Sequence, residues 1–311
     1  MTIRDRTIIT GGGTLGQQIV RSLRDHRANK NVTVYDQSED ALWKCAEIDP
    51  EVTTVLGNIR DMERLDPYLR DCTLFVNTAA IKHVGFAERF TGECIRTNID
   101  ALNTMLCRAV WHGVDRFVQI STDKVCHPEN VYGVSKLMGE HLVRSAHASM
   151  FHAHCWRFGN FLGSQGSFLD KWKQQRRNGK IKLTDPDMNR FFITPFEAAE
   201  NVVTARDLSG YDSGCIFIPQ MKVFNMGIIA DIIADRWSVE IEVIGPGLGE
   251  KLNEHIVTEQ EAPYTSIMYG KGYCIWPVLP ESEDALDCAL TTEVLPTMTR
   301  DATEKYLEGF I

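Results

Sequence analysis

A tyrosine and a lysine at helical spacing are the first residues of this chain that could carry out chemistry. They belong to the run Tyr132-Gly133-Val134-Ser135-Lys136, and on a helix this spacing places both side chains on one face. An ammonium beside a phenol lowers the phenol pKa from about 10 toward the working pH, so that the phenolate can remove a hydroxyl proton. The alternative is a buried tyrosine with a surface lysine. The run Ser121-Thr122-Asp123-Lys124, which ends a predicted strand at the right distance, favours the catalytic interpretation.

A glycine-rich turn near the start of the chain could hold a dinucleotide. Gly11-Gly12-Gly13-Thr14-Leu15-Gly16 fits G-x-G-x-x-G between a predicted strand and helix, where missing side chains let a pyrophosphate approach backbone N–H groups. Asp36 stands 20 residues beyond Gly16, where a carboxylate can accept hydrogen bonds from the adenosine ribose and would repel a 2′-phosphate. The pattern therefore predicts NAD, with NADP still open. A glycine turn beside a solvated aspartate is the alternative.

The candidate residues lie at or near the ends of predicted strands, so the fold must bring these strand ends together. The hydrophobic pattern predicts such a fold. Short apolar runs alternate with stretches of helical spacing. Regular alternation predicts an α/β fold with a Rossmann-like, doubly wound parallel sheet that helices cover on both faces. The predicted strands are residues 7–10, 31–35, 52–56, 74–76, 116–120, 153–158 and 215–218, and the predicted helices are 17–24, 62–69, 93–111, 131–147 and 195–206.

After residue 159 the sequence pattern changes: glycines, prolines and charged runs replace the alternation of predicted strands and helices. We therefore expect residues 1–160 to form the cofactor domain, with a return segment at about 190–220. Residues 161–189 and 221–311 are expected to form a smaller, mixed α/β substrate lobe.

Composition excludes several classes of protein. The 311 residues include 33 basic and 42 acidic side chains, for a net charge of −9, so a polyanionic nucleic acid is not an expected partner. The nine cysteines include no C-x-x-C pair and predict reduced thiols. No signal pattern and no apolar run of about 18 residues occurs, which predicts a soluble cytoplasmic protein without a membrane partner. Strand alternation separates His152 and His154 from Cys155, so we expect no metal site.

With these motifs taken together, the chain resembles the extended short-chain dehydrogenase/reductases. Within them it is most similar to the nucleotide-sugar 4,6-dehydratases, in particular to inverting UDP-N-acetylglucosamine 4,6-dehydratases of the pseudaminic acid pathway. The similarity covers roughly residues 7 to 277 and rests on further strings in the family's order: Asn77-Thr78-Ala79-Ala80-Ile81-Lys82-His83-Val84, Glu93-Cys94-Ile95-Arg96-Thr97-Asn98, Arg157-Phe158-Gly159-Asn160, Gly163-Ser164-Gln165-Gly166-Ser167, Thr184-Asp185-Pro186, Arg190-Phe191-Phe192-Ile193-Thr194 and Gly249-Glu250-Lys251-Leu252.

The resemblance implies a redox-neutral dehydration. Tyr132, with Thr122 on the same hydroxyl and Lys136 beside it, would deprotonate the sugar 4-OH while hydride leaves C4. Asp123 would then protonate the departing 6-hydroxyl, and Lys124 would remove the C5 proton. Lysine can act as a base only if its pKa falls from about 10.4 toward neutrality. The alternative for Lys124 is a cation that contacts phosphate or cofactor.

The resemblance also implies binding residues for cofactor and substrate. The cofactor set adds Asn58, Ile59, Ala79, Ala80, Lys82 and Asn98 to the glycine turn, Asp36, Tyr132 and Lys136. The substrate set is Lys82, Thr122, Asn160, Ser167, Thr184, Arg190 and Lys251. The chain departs from the family at Gly245-Pro246-Gly247-Leu248-Gly249-Glu250-Lys251, which lacks the arginine usual before the glycine.

We therefore expect dehydration of UDP-N-acetylglucosamine, with inversion at C5, by a homodimer or larger homo-oligomer. The helices predicted at 93–111 and 131–147 are the implied dimer interface. Two alternatives stay open. A 4-epimerase of the same fold would need no C5 base or C6 acid, and a non-catalytic NAD(P)-binding regulator would typically lose the Tyr-Lys pair.

Overall fold

The computed structural model describes residues 5–26, 31–146, 151–208, 213–247, 249–268, 272–280 and 285–311. Its strands, in chain order, are β1 (Arg6–Thr10), β2 (Asn31–Asp36), β3 (Thr53–Leu56), β4 (Cys72–Asn77), β5 (Arg116–Thr122), β6 (His152–Phe158), β7 (Asn160–Phe161), β8 (Lys180–Leu183), β9 (Asn189–Ile193), β10 (Ile216–Pro219), β11 (Lys222–Asn225), β12 (Glu240–Val243), β13 (His255–Val257), β14 (Thr265–Met268), β15 (Gly272–Ile275) and β16 (Leu290–Thr291).

Helices connect these strands. They are α1 (Thr14–Asp25), α2 (Glu39–Ile48), α3 (Asp66–Leu69), α4 (Val84–Arg89), α5 (Thr91–Ile95), α6 (Ala101–Trp111), α7 (Val131–Ser145), α8 (Phe168–Gln175), α9 (Pro195–Val203), α10 (Met226–Trp237) and α11 (Arg300–Leu307).

The large sheet confirms the predicted fold class. Its order is β14-β15-β10-β6-β5-β4-β1-β2-β3, and the pairs from β10 through β3 are all parallel. Its central strands β1, β2, β4, β5 and β6 are mostly buried, as in doubly wound folds in which helices cover both faces. The strand order reverses between β1 and β4, so a crevice opens at their carboxyl ends, where such folds bind ligands.

Two predicted helices differ from the structure for identifiable reasons. The helix predicted at 62–69 is reduced to α3, because Pro67 disfavours helical backbone in the residues before it. The helix predicted at 93–111 is interrupted by a π-helical turn, Arg96–Asp100. Helix α2 was not predicted, although Ser38 caps it by accepting a hydrogen bond from the Ala41 N–H.

The return segment, predicted at about residues 190–220, contributes a helix and a strand to the part of the molecule around the large sheet. Helix α9 packs against α1, where the Ser22 hydroxyl donates to Glu200 at 2.6 Å, and β10 then pairs with β6. Strands β14 and β15 also join this sheet, antiparallel to their neighbours, although they lie within the range 221–311 assigned to the lobe. An antiparallel hairpin adds to an edge through a local turn, so strand–helix alternation does not reveal it.

The smaller lobe has its own core. Three strands pair in the order β11-β9-β7, and β8 pairs with β12. Helices α8 and α10 bury Trp172 and Ile233 against Phe192 and Phe224. This lobe closes one side of the crevice at the carboxyl ends of the large sheet.

A buried arginine connects the large sheet to the later part of the chain. Arg157 on β6 is fully buried, and its guanidinium donates to Glu140 on α7 at 2.8 Å and to Glu261 at 2.7 Å. Glu140 also accepts from the Ser121 hydroxyl at 2.5 Å. Charge-assisted bonds of this kind are short and directional, so the network fixes β5, α7 and the segment around Glu261 relative to one another.

Each of the nine cysteines lies in a described part of the chain and is free, with only Cys107 and Cys288 exposed. Within the described ranges, the helices lack the combination of length and apolarity needed to span a bilayer.

Candidate active site

A cavity of about 660 Å³ occupies the crevice between the sheet and the lobe. Most residues expected to bind cofactor or substrate line it. They are Gly11, Gly13, Thr14, Leu15, Asp36, Asn58, Ile59, Ala79, Ala80, Lys82, Thr122, Lys124, Tyr132, Lys136, Asn160, Ser167, Thr184 and Arg190. Gly16, Asn98, Asp123 and Lys251 lie behind or beside its wall.

The glycine turn is shaped for close approach of a ligand. Gly11 has φ +96°, and a Cβ there would lie 2.5 Å from the Thr78 hydroxyl oxygen. A Cβ on Gly16 would lie 2.0 Å from the Gly11 carbonyl oxygen, so only glycine fits both positions. Gly13 has open space around it and immediately precedes α1, whose amino terminus offers unpaired N–H groups to an anion. The turn fits a pyrophosphate group.

Asp36 is held at the end of β2 by backbone groups. Its carboxylate accepts from the Gly12 N–H and from the Ser38 N–H, each at 2.7 Å. These bonds fix the carboxylate at the cavity wall, where it can accept from a ribose hydroxyl. Asn58 lies next to it and donates to Gln37 at 2.9 Å. The arrangement fits the adenosine end of a dinucleotide.

The loop after β4 forms the cavity floor, and Asn98 anchors it. The Asn98 side chain bonds to both backbone groups of Ile81 and donates to the Ser135 hydroxyl at 2.9 Å. Asn98 lies in the π-helical turn and does not line the cavity; it positions Ile81, which does. Lys82 lines the cavity, and its ammonium donates to the Gln165 carbonyl at 3.0 Å.

The catalytic candidates converge at the end of β5. Asp123 is fully buried, and its Oδ1 accepts from the Thr122 hydroxyl at 2.9 Å and from the Lys124 ammonium at 3.0 Å. Asp123 Oδ2 has no hydrogen-bond partner among the described residues. Tyr132 is hydrogen-bonded to Thr122. The structure thus brings together a phenol, a hydroxyl, a carboxyl group and an ammonium, as the sequence predicts.

The electrostatics of the phenol differ from the expectation. Burial raises the pKa of Tyr132 to about 12, although the Lys124 charge and the Thr122 hydrogen bond oppose that rise. Burial also lowers the pKa of Lys136 to about 8. The prediction that Lys136 lowers the Tyr132 pKa toward neutrality is therefore wrong for this structure, because desolvation dominates and the opposing cation is Lys124.

The expected pKa shift of Lys124 is also wrong in direction. Burial lowers its pKa, but the Asp123 and Glu254 carboxylates together outweigh burial and raise it. Glu254 was not predicted as a site residue; it is 4% exposed, lines the cavity and has a pKa raised by burial. It follows Gly249-Glu250-Lys251-Leu252 by two positions, but spacing alone does not reveal that this segment folds back onto Lys124.

The substrate candidates divide into two groups. Asn160, Ser167 and Thr184 face the cavity, and the Ser167 hydroxyl is buried without a partner in the described structure. Arg190 also lines it, with its guanidinium donating to the Lys251 carbonyl at 2.6 Å.

Lys251 is placed elsewhere. Its ammonium donates to the Cys126 carbonyl at 2.9 Å and to the His127 carbonyl, so the structure does not bring Lys251 to the cavity wall.

Comparison with known proteins gives consistent matches. UDP-N-acetylglucosamine 4,6-dehydratase (inverting) from Campylobacter jejuni is 30% identical over 267 residues, which cover 83% of this chain and 79% of the relative. UDP-glucose 4-epimerase from Rickettsia rickettsii is 27% identical over 273 residues, with the same coverage of 83% and 79%.

Solved structures match the fold. The X-ray structure of Pen from Bacillus thuringiensis has a TM-score of 0.91 and 25% identity, covering 99% of this chain and 98% of that one. DesIV, a dTDP-glucose 4,6-dehydratase from Streptomyces venezuelae crystallised with NAD and TYD, has a TM-score of 0.72 and 23% identity, covering 79% of this chain and 86% of that one. The family described as polysaccharide biosynthesis protein matches residues 7–274, and the chain therefore belongs to this family of extended short-chain dehydrogenase/reductases.

Proposed function

We propose that this protein dehydrates a UDP-linked N-acetylamino sugar, UDP-N-acetylglucosamine, to its 4-keto-6-deoxy derivative with inversion at C5, using bound NAD. The observation that carries the proposal is the cluster of Asp123 and Lys124 beside Tyr132 and Thr122 in one cavity. Oxidation at a hydroxyl needs only a base such as Tyr132. A second acid and a second base in the same place suit the elimination of water.

The residues of the cavity can hold NAD and start the reaction. The glycine turn fits the pyrophosphate and Asp36 fits the adenosine ribose. When bound, NAD would accept hydride from C4 of the sugar and later return it to C6. Thr122 and Tyr132 would hold the 4-hydroxyl, and Tyr132 would remove its proton, leaving a C4 ketone on the sugar.

The ketone makes the neighbouring C5 hydrogen acidic, so elimination can follow. Transfer of one proton from the Lys124 ammonium to the Asp123 carboxylate, 3.0 Å away, would make Lys124 the base and Asp123 the acid. Lys124 would then remove the C5 proton and Asp123 would protonate the departing 6-hydroxyl, so that water leaves and a C5–C6 double bond forms. The Oδ2 atom of Asp123 has no partner among the described groups, so it is the oxygen available to face the departing hydroxyl. Reduction at C6 and reprotonation at C5 complete a cycle in which water is the net loss.

The substrate end of the cavity suits a nucleoside diphosphate. Arg190 lines this end of the cavity and contributes positive charge for phosphate oxygens, although its guanidinium already donates to the Asn189 and Leu252 carbonyls. Asn160 lies within 3.5 Å of the Lys124 ammonium, where we place the sugar. The named activity of the Campylobacter jejuni relative supports UDP-N-acetylglucosamine as the substrate. Since the family's usual arginine is missing before Gly249, Arg190 carries the main charge complementary to the diphosphate.

A 4-epimerase is the second candidate, favoured by the epimerase relatives. Epimerisation transfers hydride at C4 and requires neither a C5 base nor a C6 acid. Asp123 and Lys124 would then have no chemical role, although they are buried together at the reacting position. A non-catalytic regulator would leave Tyr132 and Lys136 without a role as well.

We also propose that the enzyme is a homodimer. Apolar side chains that a monomer would leave in water lie on α5 and α7, where Ile95, Val134 and Met138 are 43%, 51% and 46% exposed. Helices with such stripes pack as bundles. The nine free cysteines suit a reducing compartment, which supports the cytoplasm as the location.

The direct test is incubation of the purified protein with UDP-N-acetylglucosamine in heavy water. We expect the sugar to lose one water and to gain deuterium at C5, with the inverted configuration by proton NMR. Recovery of the C4 epimer, or of unchanged sugar, would contradict dehydration. Retained C5 configuration would contradict inversion only. Light scattering of the same sample measures the mass in solution and tests the dimer.

A further inference from the structure

Two histidines and a glutamate meet at the surface where the loop after Lys124 approaches strand β13. The His127 Nε2 atom lies 3.2 Å from one Glu259 oxygen, and the His255 Nε2 atom lies 3.8 Å from the other. The two imidazole rings are 4.9 Å apart and nearly perpendicular. All three potential ligand atoms lie within 4.8 Å of one another.

This spacing suits a tetrahedral metal ion. With bonds of about 2.0–2.1 Å to nitrogen or oxygen, neighbouring ligand atoms in a tetrahedron stand roughly 3.3 Å apart. Small side-chain rotations would therefore bring the three atoms onto one ion. Two histidines and one carboxylate form a common protein ligand set for Zn²⁺, with water in the fourth position. The cluster is open to solvent, because His127 and Glu259 side chains are 52% and 65% exposed.

The backbone holds the ligands in place without a metal. His127 has φ +47°, a left-handed conformation that is uncommon for a non-glycine residue. The Lys251 ammonium donates to the carbonyl of His127 and so fixes the peptide that carries the ring. His255 belongs to β13, which pairs with β16. The Lys251 ammonium and the Glu293 carboxylate both act on His255, so their charges near the cluster oppose each other.

We propose that His127, His255 and Glu259 bind one divalent transition-metal ion, Zn²⁺ by preference, at a site separate from the catalytic cavity. The sequence analysis considers only His152, His154 and Cys155 as metal ligands, because His127 lies about 130 positions before His255 and Glu259 and no spacing connects them. The position has a consequence for the active site. His127 lies three residues after Lys124, and His255 follows Glu254, which acts on Lys124. A bound ion would therefore connect the two segments that face Lys124.

The test measures metal binding to the full chain rather than activity. The protein carries Cys107→Ser and Cys288→Ser, which remove its exposed thiols, and is stripped with a chelator. Titration with Zn²⁺ by calorimetry is expected to give one ion per chain, and Co²⁺ is expected to give the intense visible absorption of a tetrahedral site.

Three variants and one control decide the assignment. His127→Gln, His255→Gln and Glu259→Gln should each weaken Zn²⁺ binding at least tenfold. His26→Gln, which breaks another surface pair in which His26 Nε2 lies 2.8 Å from Glu200, should leave binding unchanged. Absence of stoichiometric binding, or equal binding by the three variants and the parent, would overturn the proposal.

Discussion

The side chain of Asn98 is bonded to both backbone groups of Ile81. Its Oδ1 accepts from the Ile81 N–H at 2.9 Å, and its Nδ2 donates to the Ile81 carbonyl at 3.0 Å. The Asn98 amide, in the π-helical turn, thereby provides the hydrogen-bond partners that a neighbouring strand would otherwise give to the backbone of the loop after β4. Because this loop forms the cavity floor, the position of Asn98 decides how the cofactor and sugar are seated.

Replacement of Asn98 by alanine should impair turnover through this loop. The change leaves the two partly buried backbone groups of Ile81 unpaired, which costs at most about 1–3 kcal/mol for each group. We expect at least a tenfold lower kcat with a raised KM for NAD. Asn98→Asp keeps the acceptor but not the donor and should be intermediate. Asn103→Ala, on the exposed face of α6, is the control. Unchanged steady-state kinetics in Asn98→Ala would show that the loop holds its shape without the amide.

Asp36 should set the choice between the two dinucleotides. Its carboxylate faces the position of the ribose hydroxyls, where a 2′-phosphate would be repelled. We expect Asp36→Asn to reduce the preference for NAD over NADP about tenfold, since the charge is removed while the side-chain shape is kept. Equilibrium binding of both dinucleotides measures this ratio. Asp40→Asn on α2 should leave the ratio as it is, and an equal shift in both variants would count against the assignment.

Glu254 should control the pH at which Lys124 becomes a base. The Asp123 and Glu254 carboxylates hold the pKa of Lys124 above its usual value, so deuterium exchange at C5 should rise with pH over the accessible range. Glu254→Gln removes one carboxylate and lowers the Lys124 pKa, and the exchange profile should move to lower pH. The profile is followed by NMR in buffered heavy water.

The matched control for Glu254 is Glu250→Gln. Glu250 lines the same cavity and accepts from the Gly247 N–H at 3.0 Å, but it does not act on Lys124. The pH profile of C5 deuterium exchange in Glu250→Gln should coincide with that of the parent. If Glu254→Gln also coincides with the parent, Glu254 has no influence on the base.

His154 should make the protein less stable in acid. It lies on β6, both ring nitrogens lack partners among the described groups, and burial lowers its pKa from 6.5 to about 3. Below pH 6.5 the unfolded chain binds a proton that the folded chain does not, so stability falls as pH decreases from 6.5 toward 3. At pH 5 this amounts to about 2 kcal/mol.

Replacement of His154 by leucine should remove this loss. Urea unfolding at pH 5.0 and 7.5 measures the difference in stability, which should be smaller by about 2 kcal/mol in His154→Leu than in the parent. His141→Gln changes an exposed residue of α7 and should retain the parent's pH dependence. An unchanged difference in His154→Leu would mean that the ring is protonated within the fold.

The sequence predicts the parts of the site that are local in the chain. Gly11 to Gly16 and Asp36 belong to one strand–helix–strand unit, and Tyr132 and Lys136 lie on one helix, so spacing alone places them. Lys251 and Glu254 come from a segment whose path depends on tertiary packing. The sequence predicts substrate contact for Lys251 and no role for Glu254. Glu254 faces Lys124 in the cavity, whereas Lys251 holds the loop at His127.

The pKa values of the site also depend on contacts between distant parts of the chain. Tyr132 and Lys136 have the expected helical spacing, but the pKa of each depends on burial by other elements. Lys124 has the expected neighbour in Asp123, and the second carboxylate arrives from a distant part of the chain. Spacing indicates which groups meet, and the balance between desolvation and charge is settled by packing.

The carboxylate partners of Arg157 determine whether the first and the later part of this enzyme can be separated. One partner, Glu140, belongs to the first half of the chain, and the other, Glu261, lies about a hundred residues beyond Arg157. A fragment that ends after β10 would keep the guanidinium buried with half of its counter-charge missing, which destabilises a fold by about 3–5 kcal/mol. An exchange of the later part of the chain with that of a relative would therefore have to keep Glu261 together with Arg157, although the predicted boundary at residue 160 separates these two residues.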